Sequence, residues 1–167
     1  MIFGNSGSGK STLARKLSDR AGTIRVDLDE VYWEPDQPGV ARAPAVAAQA
    51  LDQRLAGQAA WIVEGCYEVL AAHLLPRTPL LIWLDPGEAA CLSHCRARPW
   101  EPHKYPSKQA QDENLAMLLE WVSDHYTRSG EMSYEAHSHL YAGYDGPKHH
   151  LRRADLSVDE IEALIEG

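Results

Sequence analysis

The chain has 167 residues, 44% of them hydrophobic, and 24 acidic against 16 basic side chains give a formal net charge of −8. This length and composition predict one globular domain, residues 1–167, and exclude a disordered chain. The acidic balance disfavours a surface whose main role is to bind DNA or RNA. Three cysteines are too few for a disulfide framework. Without a long apolar run or a signal-peptide pattern, we expect a cytoplasmic protein that does not cross a membrane.

The first predicted element is a short strand at residues 2–3, which leads directly into a glycine-rich segment. The segment fits the pattern G-x-x-x-x-G-K-[ST] of the phosphate-binding P-loop, and apolar residues at helical spacing follow it. Its glycines let several backbone N–H groups face one anion, and the start of the next helix also favours phosphate. Lys10 would reach the β- and γ-phosphates of a nucleotide, and the Ser11 hydroxyl would ligate Mg²⁺. The loop consists of Gly4, Asn5, Ser6, Gly7, Ser8, Gly9, Lys10, Ser11 and Thr12.

Strand and helix patterns alternate along the rest of the chain. Compact apolar runs, which are typical of buried strands, are followed by segments with apolar residues at helical spacing. This alternation predicts an α/β fold in which helices cover both faces of a parallel sheet. We predict strands at residues 2–3, 24–27, 61–63, 80–84 and 149–153, and helices at residues 13–20, 44–58, 68–75, 87–97 and 109–128, with a last helix after residue 157.

Some segments between these elements lack a regular pattern. Residues 99–107 contain three prolines and cannot form a regular helix, so we interpret about residues 98–109 as a lid embedded in the domain. Residues 129–147 are polar and aromatic, and the sequence assigns no element to them. We expect His137 and His139, within that segment, at the surface. Ser157 and Glu160 form a capping box that opens the last helix, which would bury Ile161, Leu164 and Ile165.

Acidic side chains stand at the ends of three predicted strands. Ligands of a parallel sheet bind beyond the carboxyl ends of its strands, so these residues are candidates for a site. Asp27 and Asp29 follow the second strand and could hold Mg²⁺ or accept a proton from an attacking hydroxyl; the alternative for Asp29 is to cap a short helix. Glu64 follows the third strand and could bind the water shell of the metal, or simply end the strand. Asp85, after the fourth strand, is expected to cap the next helix.

Positive charge is concentrated on the predicted lid. Although the chain is acidic, residues 94–108 contain two arginines and two lysines against a single acid. Phosphoryl transfer needs cations that close over the developing negative charge and exclude water. Arg96 and Arg98 are the candidates for that role, with Lys104 and Lys108 beside them, and an ordinary solvated loop is the alternative.

Four segments and the two lid arginines carry a resemblance to a known family. They are residues 4–12, 28–33, 61–67 and 81–85, followed by Arg96 and Arg98. They resemble the small P-loop kinases of the adenylate-kinase-like group, and more narrowly the bacterial topology modulation proteins, or adenylate-kinase-like ATPases. The resemblance covers most of residues 1–98. It implies a three-layer P-loop NTPase fold with a five-stranded parallel sheet in the order 2-3-1-4-5, the cofactors ATP and Mg²⁺, and an arginine-bearing lid.

Two details bear on the chemistry. The segment Asp27-Leu28-Asp29 also resembles the Asp-x-Asp pair of shikimate- and gluconate-type kinases, in which the pair contacts the metal and the substrate hydroxyl. This likeness implies a small hydroxylated substrate. The third strand of the adenylate-kinase-like group often ends in Asp-Gly, whereas this chain has Glu64-Gly65, whose longer side chain displaces the carboxylate.

The sequence therefore predicts an ATP- and Mg²⁺-dependent phosphotransferase that acts on a small molecule, either a nucleotide or a small hydroxylated compound. The alternative is a nucleotide-dependent regulatory ATPase that acts through a protein partner, with residues 99–147 as the contact surface. A role in nucleic-acid topology is disfavoured by the acidic charge. The residues assigned to catalysis are Lys10, Asp29, Arg96 and Arg98, and those assigned to the metal are Ser11, Asp27 and Glu64.

Overall fold

A computed structural model describes residues 1–37, 39–102 and 105–166, with side chains up to residue 163 in the last helix. A sheet of five parallel strands runs through its centre in the order β2-β3-β1-β4-β5. This order confirms the predicted topology. The strands are β1 (Ile2–Phe3), β2 (Ile24–Asp27), β3 (Trp61–Gly65), β4 (Leu81–Leu84) and β5 (Lys148–Leu151).

Helices join the strands and cover both faces of the sheet. They follow the predicted alternation closely, and the first three strands each lead into a helix within a few residues. A short 3₁₀ turn, Leu75–Arg77, sits where Pro76 prevents a further helical turn. The helices are α1 (Lys10–Ala21), α2 (Asp29–Tyr32), α3 (Pro44–Leu55), α4 (Glu68–Leu74), α5 (Glu88–Arg96), α6 (Lys108–Glu113), α7 (Leu115–Asp124), α8 (Tyr134–Gly143) and α9 (Val158–Glu166).

The two faces of the sheet are packed by separate hydrophobic clusters, because side chains along a strand point alternately to opposite faces. Phe3 and Trp83 belong to the larger cluster, which includes residues of α2, α3, α4 and α8. Ile2 and Ile82, one position away on the same strands, belong to the smaller cluster with α1 and α9. We call these the α8 face and the α1 face.

The region after the lid differs from the prediction. The prediction of a single helix at residues 109–128 is wrong, because Asn114 separates α6 from α7. The Asn114 side-chain amide donates to the Ala110 carbonyl oxygen at 2.8 Å, a local bond that competes with a continuous helix. The segment without a predicted element contains α8, whose first turn is capped by the Ser133 hydroxyl, which accepts the Ala136 N–H at 3.1 Å.

The end of the chain follows the prediction more closely. Ser157 and Glu160 form the expected reciprocal capping box, in which each backbone N–H donates to the other side chain, at 2.8 and 3.2 Å. Ile161 is buried against the α1 face, whereas Leu164 and Ile165, predicted to be buried as well, lie outside the described side chains. In the described ranges, none of the helices combines the length and the hydropathy needed to span a membrane.

Candidate functional site

The glycine-rich loop passes between β1 and α1 at the carboxyl edge of the sheet. Gly4 and Gly7 have φ values of +148° and +77°, a region that side chains rarely allow. A Cβ at Gly4 would lie 2.1 Å from the Leu84 carbonyl oxygen, and one at Gly7 would lie 2.3 Å from the Cys91 carbonyl oxygen. The loop therefore follows its path only because these two positions carry no side chain.

The Gly7→Ala variant is expected to lower the free energy of unfolding by about 3 kcal/mol, because a methyl group there is both strained and overpacked. Gly57→Ala is the matched control: its φ is also positive, +74°, but an added Cβ would meet nothing within 4 Å. The control should lose only about 1 kcal/mol. Urea denaturation of both variants checks the difference, and equal losses would contradict the close contact between the loop and α5.

Asn5 organises the hydrogen bonds inside the loop. Its side-chain oxygen accepts the Ser6 N–H at 2.8 Å, and its amide nitrogen donates to the Val122 carbonyl oxygen of α7 at 2.9 Å. Its own carbonyl oxygen accepts both the Ser8 N–H at 3.2 Å and the Lys10 ammonium at 3.0 Å. The Lys10 ammonium is thereby held over the loop, and the side chain is only 9% exposed.

The carboxylate of Glu64 is buried beside the loop, on the α1 face. In the sheet register, Glu64 lies between Asp27 of β2 and Ile2 of β1. The Ser11 hydroxyl acts on the Glu64 carboxylate from the start of α1, and the Arg25 Nη1 atom lies 3.2 Å from the Glu64 Oε1 atom. Burial, and then the charge of Asp27, raise the pKa of Glu64, while Lys10, Ser11 and Arg25 act in the opposite direction. The structure thus brings together all three residues predicted to bind the metal.

Asp29 lies at the first position of α2, just past the end of β2. Asp29 is not the helix cap, because Leu28 occupies that position and Asp29 is itself helical. The Asp29 N–H donates to the Asp27 Oδ1 atom at 2.9 Å. The Asp29 carboxylate accepts a hydrogen bond from the Tyr67 hydroxyl at 2.6 Å. Asp29 therefore stands at the same edge of the sheet as the loop, with a side-chain partner that the sequence analysis did not identify.

Arg96 and Arg98 lie at the end of α5 and just after it, and α5 is the helix that contacts the loop. The His94 Nδ1–H donates to the Gly7 carbonyl oxygen at 2.8 Å, which ties α5 to the loop. Arg96 is the last residue of α5 and is exposed. The Arg98 Nη1 atom is 3.3 Å from the Glu101 Oε2, so this arginine is paired within the lid. Lys104, the third candidate cation, lies outside the described residues; Lys108 forms an ion pair with Asp112.

One side chain fastens the lid to α6. The Gln111 side-chain oxygen accepts the Glu101 N–H at 2.8 Å, and its nitrogen donates to the Pro99 carbonyl oxygen at 3.0 Å. Around these bonds, the described lid residues 98–102 and 105–107 contain no helix. The lid is held to the residues that follow it by this local network.

Arg128 is a cation that the sequence analysis missed. Its guanidinium donates to the Trp121 carbonyl oxygen at 2.7 Å and twice to the Met132 carbonyl oxygen, at 2.6 and 3.1 Å. It also stacks over the Trp121 ring at 3.5 Å from the ring centre. Burial lowers the pKa of Arg128. Its positive charge in turn opposes the rise that burial causes in the pKa of the Cys66 thiol, just after β3. No local pattern separates Arg128 from a surface arginine, because its partners come from two different segments.

Two buried histidines lie under the same edge. The His137 Nε2–H donates to the Cys66 carbonyl oxygen at 2.8 Å, and the His125 Nδ1–H donates to the Met132 carbonyl oxygen at 3.0 Å. Burial lowers their pKa values to about 3 and about 4, respectively, so both rings are neutral near pH 7. The prediction that His137 lies at the surface is wrong, because its ring is fully buried against Phe3 of the sheet.

Asp85 does not cap α5. The residue before that helix is Gly87, and no side chain caps its first turn. The Asp85 carboxylate instead accepts the Tyr126 hydroxyl at 3.0 Å and lies 3.2 Å from the His150 Nε2 atom. The expected cap is therefore wrong, and Asp85 links the ends of β4 and β5 to the segment after α7.

Comparisons with known proteins concern the fold. No protein-family model matches the chain, and no curated protein matches its sequence. A shikimate kinase from Bacteroides thetaiotaomicron matches with a TM-score of 0.52 and 16% identity, covering 99% of this chain and 92% of that one. An uncharacterized protein from Eubacterium ventriosum ATCC 27560 matches with a TM-score of 0.50 and 15% identity, covering 99% and 96%. At these identities the likeness shows only that the chain shares the fold of this shikimate kinase.

Proposed function

We propose that the protein is an ATP- and Mg²⁺-dependent phosphotransferase that acts on a small molecule. The observation that carries the proposal is the convergence, at one edge of the sheet, of the loop with Lys10 and the carboxylates of Glu64 and Asp29. The fold shared with a shikimate kinase supports it, as does the resemblance of residues 1–98 to adenylate-kinase-like proteins. The narrower resemblance to topology modulation proteins remains a hypothesis.

The loop would bind the polyphosphate of ATP. Its glycines leave backbone N–H groups directed at an anion, and the N-terminus of α1 adds a partial positive charge. The Lys10 ammonium is already held over the loop by the Asn5 carbonyl oxygen. The Ser8 hydroxyl is buried without a hydrogen-bond partner in the described part of the chain, which fits a loop built to receive polar atoms. Residues 4–12 are therefore assigned to the nucleotide.

Ser11, Asp27 and Glu64 would hold Mg²⁺. Mg²⁺ is usually bound by one or two carboxylates together with substrate phosphates, rather than by a cage of protein side chains alone. This preference fits the described residues, which contain no group of three or more histidine, cysteine or acidic side chains placed for a metal. When bound, the ion would neutralise charge that develops on the phosphate oxygens.

Asp29 would act on the acceptor. In the transfer, the acceptor hydroxyl oxygen forms a bond to the γ-phosphorus while the bond from that phosphorus to the β–γ bridging oxygen breaks. ADP leaves with the electron pair of the broken bond, and the hydroxyl proton passes to the Asp29 carboxylate. Arg96 and Arg98 would stabilise the negative charge that spreads over the transferred group.

Arg96→Ala is expected to lower kcat about 100-fold with little change in the Kd of Mg·ATP, because a lid cation would act mainly in the transition state. Arg20→Ala is the control: Arg20 lies in the last turn of α1 and pairs with Glu162 on the surface. Steady-state kinetics and calorimetric titration check the two quantities. An equal loss of kcat and affinity would show that Arg96 acts in ground-state binding instead.

The acceptor is tested directly. The protein is incubated with γ-labelled Mg·ATP and a panel of nucleoside monophosphates, nucleosides and small polyols. We expect one class to speed ADP release and to capture the label. Slow loss of ATP that no acceptor changes would favour the alternative, a nucleotide-dependent regulatory ATPase that acts through a protein partner.

A further inference from the structure

We infer that Tyr67 is a positioning residue for the phosphoryl transfer proposed above: its hydroxyl fixes the orientation of the Asp29 carboxylate. The inference rests on the proposed function. The Tyr67 hydroxyl donates to the Asp29 Oδ1 atom at 2.6 Å, a distance typical of a strong hydrogen bond to a charged oxygen. A bond to one oxygen sets the rotation of the whole carboxylate, and so also the direction of its second oxygen.

The Tyr67 ring is held firmly enough to serve this purpose. Tyr67 is 2% exposed and immediately precedes α4. Its ring stacks on that of Tyr32 with 3.8 Å between centroids and an interplanar angle of 20°. The Trp33 ring meets it edge-on at 6.2 Å. Because a tyrosine has only two side-chain torsions, a ring fixed on both sides also fixes its hydroxyl.

The hydroxyl remains a donor throughout the physiological pH range. Burial, together with the nearby Cys66 and Asp29, raises the pKa of Tyr67 far above its ordinary value. A permanently protonated hydroxyl can only strengthen the preference of Asp29 for one orientation.

The neighbouring tyrosine provides an internal control. The Tyr32 hydroxyl makes a bond of the same length, 2.6 Å, but to the Glu131 Oε1 atom. Tyr32 is also buried, and it shares the same ring stack. Removal of either hydroxyl removes one partly buried hydrogen bond to a carboxylate. Only the removal at Tyr67 takes a hydrogen bond from the Asp29 carboxylate.

The test measures hydrolysis of Mg·ATP without an added acceptor, so that water takes the place of the acceptor hydroxyl. Tyr67→Phe is expected to lower kcat roughly tenfold, with the KM for ATP within about twofold of the original value. Tyr32→Phe should leave kcat within about twofold. In the double variant Tyr67→Phe/Asp29→Ala, kcat should equal that of Asp29→Ala alone, because the hydroxyl acts only through this carboxylate.

Three results would overturn the inference. Equal losses of kcat in Tyr67→Phe and Tyr32→Phe would indicate a purely structural role. If the losses of kcat in Tyr67→Phe and Asp29→Ala multiplied in the double variant, Tyr67 would act independently of Asp29. If the unaltered protein neither hydrolyses ATP nor transfers phosphate, the proposed function fails and the inference fails with it. Urea unfolding of the same variants measures the coupling between Tyr67 and Asp29 in the free energy of unfolding, and this measurement needs no activity. It therefore distinguishes a failure of the proposed function from a failure of the contact.

Discussion

Lys10→Ala is expected to weaken Mg·ATP binding and to lower kcat by about 100- to 1,000-fold. The reason is the placement of the ammonium, which is 3.0 Å from the Asn5 carbonyl oxygen and buried over the loop, where water screens its charge poorly. Calorimetric titration measures the Kd. Thermal unfolding gives a second measure, because a ligand that binds the folded state raises the Tm, and the variant should show little of that rise.

Lys16→Ala is the matched control for this prediction. Lys16 lies on the same helix, α1, and is exposed to solvent. The same substitution there removes the same charge from the chain but none from the loop, so we expect a change in Kd below about twofold. A Lys10→Ala variant that binds Mg·ATP as tightly as this control would refute the assignment of residues 4–12 to the nucleotide.

Asp29→Asn is expected to lower kcat by about 100- to 10,000-fold while the Kd of Mg·ATP stays nearly constant. Asparagine keeps the shape of the side chain and can still accept the hydrogen bond of the Tyr67 hydroxyl, but it cannot take up the proton of the acceptor. The measurement is the rate of ADP release at saturating ATP, with and without the acceptor that the panel identifies.

The control for Asp29→Asn is the adjacent acid. Glu30 also belongs to the first turn of α2, but it is exposed and pairs with Arg54 at 3.2 Å. Glu30→Gln should therefore change kcat by less than about twofold. If the two variants lost activity to the same extent, the effect would come from the charge of the helix start, and Asp29 would have no specific role.

The sheet and the phosphate loop were predictable because their signals are local. The P-loop pattern specifies the turn by glycines that tolerate positive φ, as Gly7 shows with its contact to the Cys91 carbonyl oxygen. Strand ends could be predicted in the same way, because apolar runs stop there. The carboxyl ends of parallel strands share one edge, and the resemblance to the adenylate-kinase-like group implied the strand order that makes Asp27 and Glu64 neighbours.

The remaining differences come from contacts between distant segments. Tyr67 bonds to a carboxylate 38 positions earlier, and His137 to a carbonyl oxygen 71 positions earlier, and neither pairing leaves a periodic trace in the sequence. Helix periodicity continued through Asn114, but the helix is interrupted there, where the Asn114 side chain bonds to the Ala110 carbonyl oxygen. Asp85 was predicted to cap α5 because aspartate is common at the N-terminal cap of a helix. Its carboxylate instead contacts Tyr126 and His150, which belong to later parts of the chain.

The packing of the two sheet faces by separate clusters has a consequence for substitutions. The loop leads into α1, which packs on one side of the sheet, while Tyr67 and α8 pack on the other. Among the described residues, side chains of α1 and α9 pack only with the cluster on the α1 face, whereas His137 of α8 packs against Phe3, which directly precedes the loop, on the α8 face. Under the proposed function, the side chains around Asp29 can therefore change with the acceptor while the side chains of α1 and α9 keep their contacts with the α1 face of the sheet.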